Sequence, residues 1–321
     1  MYLQTLLQTL EITLPVILLV VLGVVLKTRG AIDERFIATA SRLVFNVSLP
    51  VLMFMAIVSA SASLENHGAL VVFALSAALL AFVLTLIVAR VVKVSTLQYG
   101  AFVQASFRSN LGIIGLALCI NAFPVEGALL GAIILAVVTP LYNFLSVWVL
   151  AGGDVGWKDQ IIATAKNPLI IAIALAALVN ISGFTLPQFA LSTGSALAAM
   201  TLPLALIGIG GSLALPKLGL SKLNLPKQEG SNNVTLLSVA LKILILPILI
   251  IMVAVMSGIR GPELMVLAIM FSSPTAAAAF VMASAMGADE KLTANVIAIS
   301  TLGAAVSMTS FIYVLNLSGL V

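Results

Sequence analysis

The composition of this 321-residue chain already excludes a soluble protein, because 62% of its residues are hydrophobic and only 8% are charged. A soluble domain carries about a quarter charged residues, so these charges are too few to cover a globular surface. The formal net charge is +4, but the positive residues stand singly between apolar runs, as they do beside membrane-spanning helices. Composition therefore predicts an integral membrane protein whose partner is the lipid bilayer and not a nucleic acid.

The first apolar stretch is predicted to be a retained helix and not a signal peptide. No Lys or Arg precedes it, Glu11 lies near its start, and the first positive residue, Lys27, follows it. A signal peptide has the opposite order, with positive residues before its apolar core. We therefore expect the N-terminus outside the cytoplasm.

Ten apolar segments are predicted to cross the membrane as helices. A helix needs about 20 apolar residues to span a hydrocarbon core of about 30 Å. The sixth segment is the shortest, and its start could lie nearer Ile161. The predicted segments are 5–27, 36–60, 68–92, 98–121, 127–150, 168–183, 190–214, 234–257, 263–286 and 292–317.

The distribution of positive charge predicts the orientation of these segments. Of the fifteen Lys and Arg residues, Arg260 alone lies in an even-numbered loop, whereas Arg108 and Lys242 lie inside segments. Positive residues concentrate on the cytoplasmic side of membrane proteins, so the odd-numbered loops are predicted to be cytoplasmic and both termini outside, in a multi-pass plasma (inner) membrane protein. The remaining twelve are Lys27, Arg29, Arg35, Arg42, Arg90, Lys93, Lys158, Lys166, Lys217, Lys222, Lys227 and Lys291.

An internal repeat is indicated by paired prolines. Pro15 and Pro168 begin similar apolar runs 153 residues apart, and Pro50 and Pro203 have the same offset of 153. Each half therefore carries two prolines with the same spacing. The halves are predicted to be two related units.

Each predicted unit has five helices, so the second unit must run through the membrane in the opposite direction to the first. The predicted units are 1–151 and 168–321, joined by a cytoplasmic linker at 152–167. Two inverted five-helix repeats are typical of secondary transporters. The predicted fold is thus an all-α membrane protein with ten transmembrane helices.

Segment four carries the first candidate binding residues. Arg108 lies 10 residues after Gln98, hence about 15 Å deep and near the bilayer midplane. Ser109, Asn110 and Gly112 follow it. A charge at this depth is costly and is functional or paired. Arg108 is therefore predicted either to bind an anion or to hydrogen-bond the carbonyls of a broken helix.

Segment nine carries the second candidate group, Ser272, Ser273, Pro274 and Thr275, at a comparable depth. Pro274 removes an N–H donor and forces the preceding residue out of helical geometry. A helix that restarts beyond it would present free N–H groups to a carboxylate; the alternative is a simple kink. We predict that segments four and nine cross at their breaks and hold the substrate together.

Asn46, Asn143 and Lys242 are possible supporting residues, although interhelical hydrogen bonds explain them equally well, and Lys242 could reach water by snorkelling. No Asp or Glu lies centrally in a segment, which disfavours proton coupling. Na⁺ coupling through neutral oxygens stays open. No metal site, other cofactor or nucleotide-binding motif is predicted.

Four stretches of the sequence carry a family resemblance. The longest is SSPTAAAAFVMASAMGADEKLTANVIAISTLGAAVSM in segments nine and ten; the others are FNVSLPVLMF, LPLALIGIGGSLAL and LKILILPIL. Together they resemble the bacterial branch of the auxin efflux carrier family. That branch includes malonate carriers and is related to the PIN-type auxin carriers, within the bile, arsenite and riboflavin transporter superfamily.

The resemblance implies a scaffold domain, a transport domain with crossed broken helices four and nine, a homodimer, and organic anions with a carboxylate as substrates. It places Ser109, Asn110, Gly112 and the Ser273–Thr275 stretch at the crossing, and Lys242 at the family's basic position. Relatives commonly have a proline in segment four, which is absent from Gly115-Leu116-Ala117-Leu118 here. This segment is therefore expected to be unwound by glycine and Asn110, or to be less broken.

The predicted function is an elevator-type secondary transporter for a small organic anion, most simply a carboxylate. Two alternatives remain: a sodium-coupled symporter of the bile-acid type, and a membrane receptor that binds its ligand without moving it. An enzyme is not predicted, because H-E-x-x-H and G-x-S-x-G motifs and a midplane carboxylate pair are absent from the sequence.

Overall fold

The computed structural model describes residues 2–59, 67–151, 168–213 and 229–321, and this part of the chain is helical without a strand. The predicted linker 152–167 and most of the loop at 215–233 lie outside the described residues. The helices are α1 Tyr2–Thr28, α2 Glu34–Leu43, α3 Leu49–Ser59, α4 Gly68–Val91, α5 Thr96–Phe107, α6 Leu116–Ala122, α7 Glu126–Leu150, α8 Pro168–Ser182, α9 Gln188–Leu213, α10 Glu229–Ala240, α11 Leu246–Met256, α12 Gly261–Ser272, α13 Ala278–Ala285 and α14 Glu290–Ser318.

Seven helical stretches in the described residues are long and apolar enough to span a membrane. They coincide with predicted segments one, two, three, five, seven, eight and ten, and they confirm an all-α protein with multiple apolar helices. Segments four, six and nine correspond to shorter apolar helices, so ten crossings and the inverted repeat stay predictions. The seven are Tyr2–Thr28, Glu34–Val58, Gly68–Val91, Glu126–Leu150, Gln188–Leu213, Asn233–Met256 and Glu290–Ser318.

Helices α1 and α9 pack backbone against backbone. A Cβ added to Gly23 would lie 2.2 Å from the carbonyl oxygen of Ile207, and one added to Gly210 would lie 1.9 Å from that of Val20. Only glycine permits such an approach, and small residues at helix contacts are typical of membrane proteins. This pair is therefore held tightly at one side of the molecule.

A nearby proline explains each of two π-helical turns. The turns Val44–Ser48 and Leu241–Ile245 each end two residues before a proline, Pro50 and Pro247. Proline has no N–H and its ring displaces the carbonyl one turn earlier, and a widened turn accommodates both effects. The turn at Leu241–Ile245 includes Lys242.

Helices α5 and α12 form the interior of the molecule. Every residue from Ala101 to Phe107 is buried, and so is every residue from Leu264 to Ser272. A helix that is apolar on all sides packs against protein on all sides. Both helices end in the interior, and the breaks that follow them are therefore shielded from lipid.

Candidate substrate site at two crossed helix breaks

The first break follows α5. Arg108 adopts an extended conformation (φ −78°, ψ 106°) that ends the helix at Phe107, and the chain becomes helical again only at the π-helical turn Leu111–Gly115. Without a proline, this segment was expected to be unwound by glycine and Asn110 or to be less broken. The break contains Asn110 but precedes the glycines, and it interrupts the helix completely at Arg108 to Asn110.

The second break follows α12. Ser273 is extended (φ −59°, ψ 147°), as a residue before proline is expected to be, and the next helix begins at Ala278. Pro274 therefore interrupts the helix instead of only bending it. The predicted break is confirmed, and the simple kink is excluded.

The two breaks hydrogen-bond to each other. The amide of Asn110 donates to the carbonyl of Pro274 at 2.8 Å, and the amide of Ala276 donates to that of Arg108 at 3.2 Å. Ser109 and Thr275 face each other between these bonds as an antiparallel bridge. Backbone groups freed inside a membrane must be paired within the protein, and here each break pairs the other. The predicted crossing is present.

Hydroxyl groups strengthen the crossing. Thr275 Oγ1 donates to the carbonyl of Ala105 in α5 at 2.7 Å, and Ser109 Oγ lies 3.3 Å from the carbonyl of Phe271 in α12. Each side chain thus reaches the end of the opposite helix. These bonds satisfy carbonyls that the last turn of a helix leaves without an intrahelical partner.

Lys242 is buried at the crossing, with only 1% of its surface exposed. Its Nζ donates to Ser109 Oγ and, at 2.9 Å, to the carbonyl of Phe271. The suggestion that it snorkels to water is wrong, because the π-helical turn directs it inward. Its charge lies at the carboxyl end of α12, where the helix dipole favours a cation.

Arg108 is held by side chains of α7. Its two terminal nitrogens donate to Asn143 Oδ1 at 2.7 Å and to Ser146 Oγ at 3.0 Å. The alternative that it bonds the carbonyls of a broken helix is not what the structure shows. Among the described residues the ion pairs are Lys27–Glu34 and His67–Glu263, so neither Arg108 nor Lys242 has a carboxylate partner there.

A small cavity, here called the crossing cavity, opens beside the two breaks and has a volume of about 80 Å³. That volume equals two or three water molecules at about 30 Å³ each. Polar side chains come from Arg108, Ser109, Asn110, Thr139 and Tyr142. The other lining residues are apolar or glycine: Phe45, Leu49, Leu111, Gly112, Ile113, Leu135, Leu169, Ala276, Ala277 and Ala278.

The structure brings both predicted groups to the crossing but gives them different positions. Arg108, Ser109, Asn110 and Gly112 line the crossing cavity, whereas the Ser272–Thr275 stretch does not. The hydroxyls of Ser272 and Ser273 bond carbonyls of their own helix instead.

The residues that the second break contributes to the cavity were not predicted from the sequence; they are Ala276, Ala277 and Ala278. They carry no polar side chain, and only their position after Pro274 could have indicated that they lie at the site. Of the supporting residues, Asn143 contacts Arg108 and Lys242 contacts Ser109, but Asn46 is exposed on the surface.

A second cavity adjoins the first, and we call it the joined cavity. It has a volume of about 390 Å³ and shares Phe45, Ile113 and Ala277 with the crossing cavity. Its other residues include Ser41 and Ser212, beside loops predicted to be cytoplasmic. A separate cavity of about 510 Å³ lies between α1, α3, α6 and α9 and shares no residue with the crossing cavity.

Part of the chain matches a known protein family. Residues 158–312 match the family model of membrane transport proteins. The match confirms the resemblance to the auxin efflux carrier and PIN-type family. The matched range includes Lys242 and the second break, whereas Arg108 and Asn110 lie before it. No curated protein matches the chain significantly.

Proposed function

We propose that this protein is a secondary transporter that binds the carboxylate of a small organic anion in the crossing cavity. The observation that carries this proposal is a pair of buried cations, Arg108 and Lys242, at the crossing without a carboxylate partner among the described residues. A buried charge without a counter-charge is costly. A bound anion would supply the missing negative charge.

The groups around the crossing cavity are hydrogen-bond donors suited to an anion. Asn110 lines the cavity, and its side chain makes no helix-capping hydrogen bond. Ala277 and Ala278 bring the amino end of α13 to the same space. The first amides of a helix lack intrahelical partners, and its dipole favours negative charge there. Together with Arg108, these groups surround a carboxylate with donors from both breaks.

The crossing cavity and the joined cavity differ in size, so we expect each to hold a different part of the substrate. A volume of about 80 Å³ accepts a carboxylate and little more. The rest of the substrate would extend into the joined cavity of about 390 Å³, where Phe45, Phe280 and Val281 provide apolar surface. The substrate of this proposal is therefore a compact anion with a small organic body.

The arrangement of the cavities supports an elevator mechanism. The joined cavity is lined by α9 and α13, and the separate cavity by α9 and α6, so each lies between α9 and the second half of one broken helix. In this mechanism the crossing would move past the tightly packed α1–α9 pair and expose its site to each cavity in turn. Because the joined cavity shares residues with the crossing cavity, the state described here would be the one that opens toward the end predicted to be cytoplasmic.

Lys242 favours sodium-independent transport over sodium-coupled symport. Its ammonium group already engages Ser109 Oγ and the carbonyl of Phe271, the neutral oxygens through which sodium would bind. A fixed positive charge therefore stands where a coupling ion would be needed. We expect uptake into proteoliposomes to be unchanged when choline replaces sodium, and a strict sodium requirement would contradict this part of the proposal.

A binding screen tests the proposal itself. Purified protein is heated with propionate, benzoate and malonate, and a carboxylate that binds only the folded state raises the melting temperature. Arg108→Gln and Asn110→Ala are expected to abolish that rise. Arg35→Gln, an arginine exposed on α2, serves as the matched control and should retain it. Equal rises in all four proteins would overturn the assignment of the site.

A further inference from the structure

Two residues of α7 bind the terminal nitrogens of Arg108. Asn143 and Ser146 are three residues apart and therefore share one face of the helix. Their oxygens accept hydrogen bonds from the two terminal nitrogens of Arg108 at 2.7 and 3.0 Å. Neither residue lines the crossing cavity, whereas Arg108 does. Thr139 and Tyr142 of α7 also line it, so α7 forms part of the cavity wall as well as anchoring Arg108.

The Nε atom of Arg108 is buried and has no hydrogen-bond partner. A guanidinium group carries five N–H donors in one plane, and the bonds to Asn143 and Ser146 use one from each terminal nitrogen. The Nε–H and the neighbouring terminal N–H form a fork that matches the two oxygens of a carboxylate. Because both terminal nitrogens are anchored, the plane of this fork is fixed.

The chemistry of the two anchors preserves the charge of Arg108. An amide oxygen and a hydroxyl oxygen accept hydrogen bonds without carrying a negative charge. An aspartate at position 143 would hold the guanidinium in the same place, but it would also neutralise it. The backbone of Arg108 is fixed independently, since its carbonyl accepts from the amide of Ala276.

We propose that Asn143 and Ser146 are positioning residues that fix Arg108 beside the crossing cavity with its Nε–H left unpaired for an anion, and so select planar carboxylates over other anions of equal charge. This inference rests on the proposed function, because it assigns the selectivity of the same site. It adds two residues of α7 that touch no substrate but determine which substrate binds.

The first test is Asn143→Asp, which keeps the shape of the side chain and places a negative charge against Arg108. The affinity for benzoate, measured by calorimetry on the purified protein, should fall at least about tenfold. Asn316→Asp is the control, because it makes the same amide-to-acid change near the end of α14. Unchanged benzoate affinity in folded Asn143→Asp would overturn the proposal.

The second test is Ser146→Ala, which removes one anchor without adding charge and keeps the proposal testable if the aspartate variant does not fold. The readout is the ratio of the dissociation constants for benzoate and benzenesulfonate, which share the ring and the charge but not the planar head group. The ratio should move toward one if Ser146 positions the fork. An unchanged ratio with a lower melting temperature would show that Ser146 only stabilises the fold.

The wild-type protein separates failure of this inference from failure of the proposed function. If wild-type protein binds no carboxylate and shows no uptake, the proposed function itself is wrong. If it binds and transports benzoate but both variants keep its affinity and selectivity, only the role of Asn143 and Ser146 is wrong.

Discussion

The two helix breaks differ in what they give to the crossing. The first contributes side chains, with Arg108 and Asn110 facing the crossing cavity. The second contributes backbone, since Ala277 and Ala278 line the cavity while Ser273 and its neighbours bond inside the protein. In the proposed site, one break would therefore carry the charge that attracts an anion, and the other would fix the geometry in which the anion is held. Substitutions at each break should therefore have different consequences.

The largest effect is expected at the first break, from Arg108→Gln. Truncating one partner of a buried charge pair costs about 2–5 kcal/mol, which corresponds to at least about a thirtyfold loss of affinity. Titration of the purified protein with the carboxylate that gives the largest thermal shift measures this loss. A loss of less than about threefold would remove Arg108 from the site.

Lys242→Met tests the contact between the breaks and the π-helical turn that precedes α11. Methionine fills a similar volume but removes the two hydrogen bonds that the ammonium group donates, to Ser109 Oγ and to the carbonyl of Phe271, which keeps only its 3.3 Å contact with Ser109 Oγ. A hydrogen bond to a charged group contributes about 1.5–3 kcal/mol, so the variant should unfold at a lower temperature in detergent. A melting temperature equal to that of the wild type would show that the ammonium group contributes nothing to the crossing.

Pro274→Ala tests whether the second break acts through its backbone. Alanine restores an N–H and lets Ser273 become helical, which would extend α12 and displace Ala277 from the cavity. We expect about a tenfold weaker carboxylate affinity and little change in thermal stability. Wild-type affinity would show that the start of α13 does not bind the anion.

The smallest effect is expected from Ser273→Ala. Its hydroxyl donates to the carbonyl of Met270 at 2.8 Å and does not line the cavity. The variant should lose about 0.5–1.5 kcal/mol of stability while its carboxylate affinity stays within about twofold of the wild type. A large loss of affinity with intact stability would place this hydroxyl in the binding site after all.

Local sequence rules account for most of the helices and for the second break. Long apolar segments predicted the seven long helices, and Pro274 predicted the break because proline acts within one turn of itself. The first break was harder to place, since Arg108 has no intrinsic preference for an extended backbone. Its conformation is stabilised by the bond from Ala276, which is a tertiary contact between distant parts of the chain.

The hydrogen-bond partners of the buried polar side chains could not be predicted from the sequence, for the same reason. Arg108 meets Asn143 and Ser146 because α5 packs against α7, and Lys242 meets Ser109 across a sequence separation of 133 residues. Depth along a segment predicted that Arg108 is costly to bury, whereas Lys242 was expected to be able to reach water. Depth could not predict which oxygen atoms would surround them.

Counterflow in proteoliposomes tests the central claim most directly. Vesicles loaded with an unlabelled carboxylate and diluted into the same labelled compound should transiently accumulate label with wild-type protein and not with Arg108→Gln. Binding without counterflow in the wild type would identify a receptor instead of a transporter. Equal accumulation by both proteins would contradict an anion site at the crossed breaks.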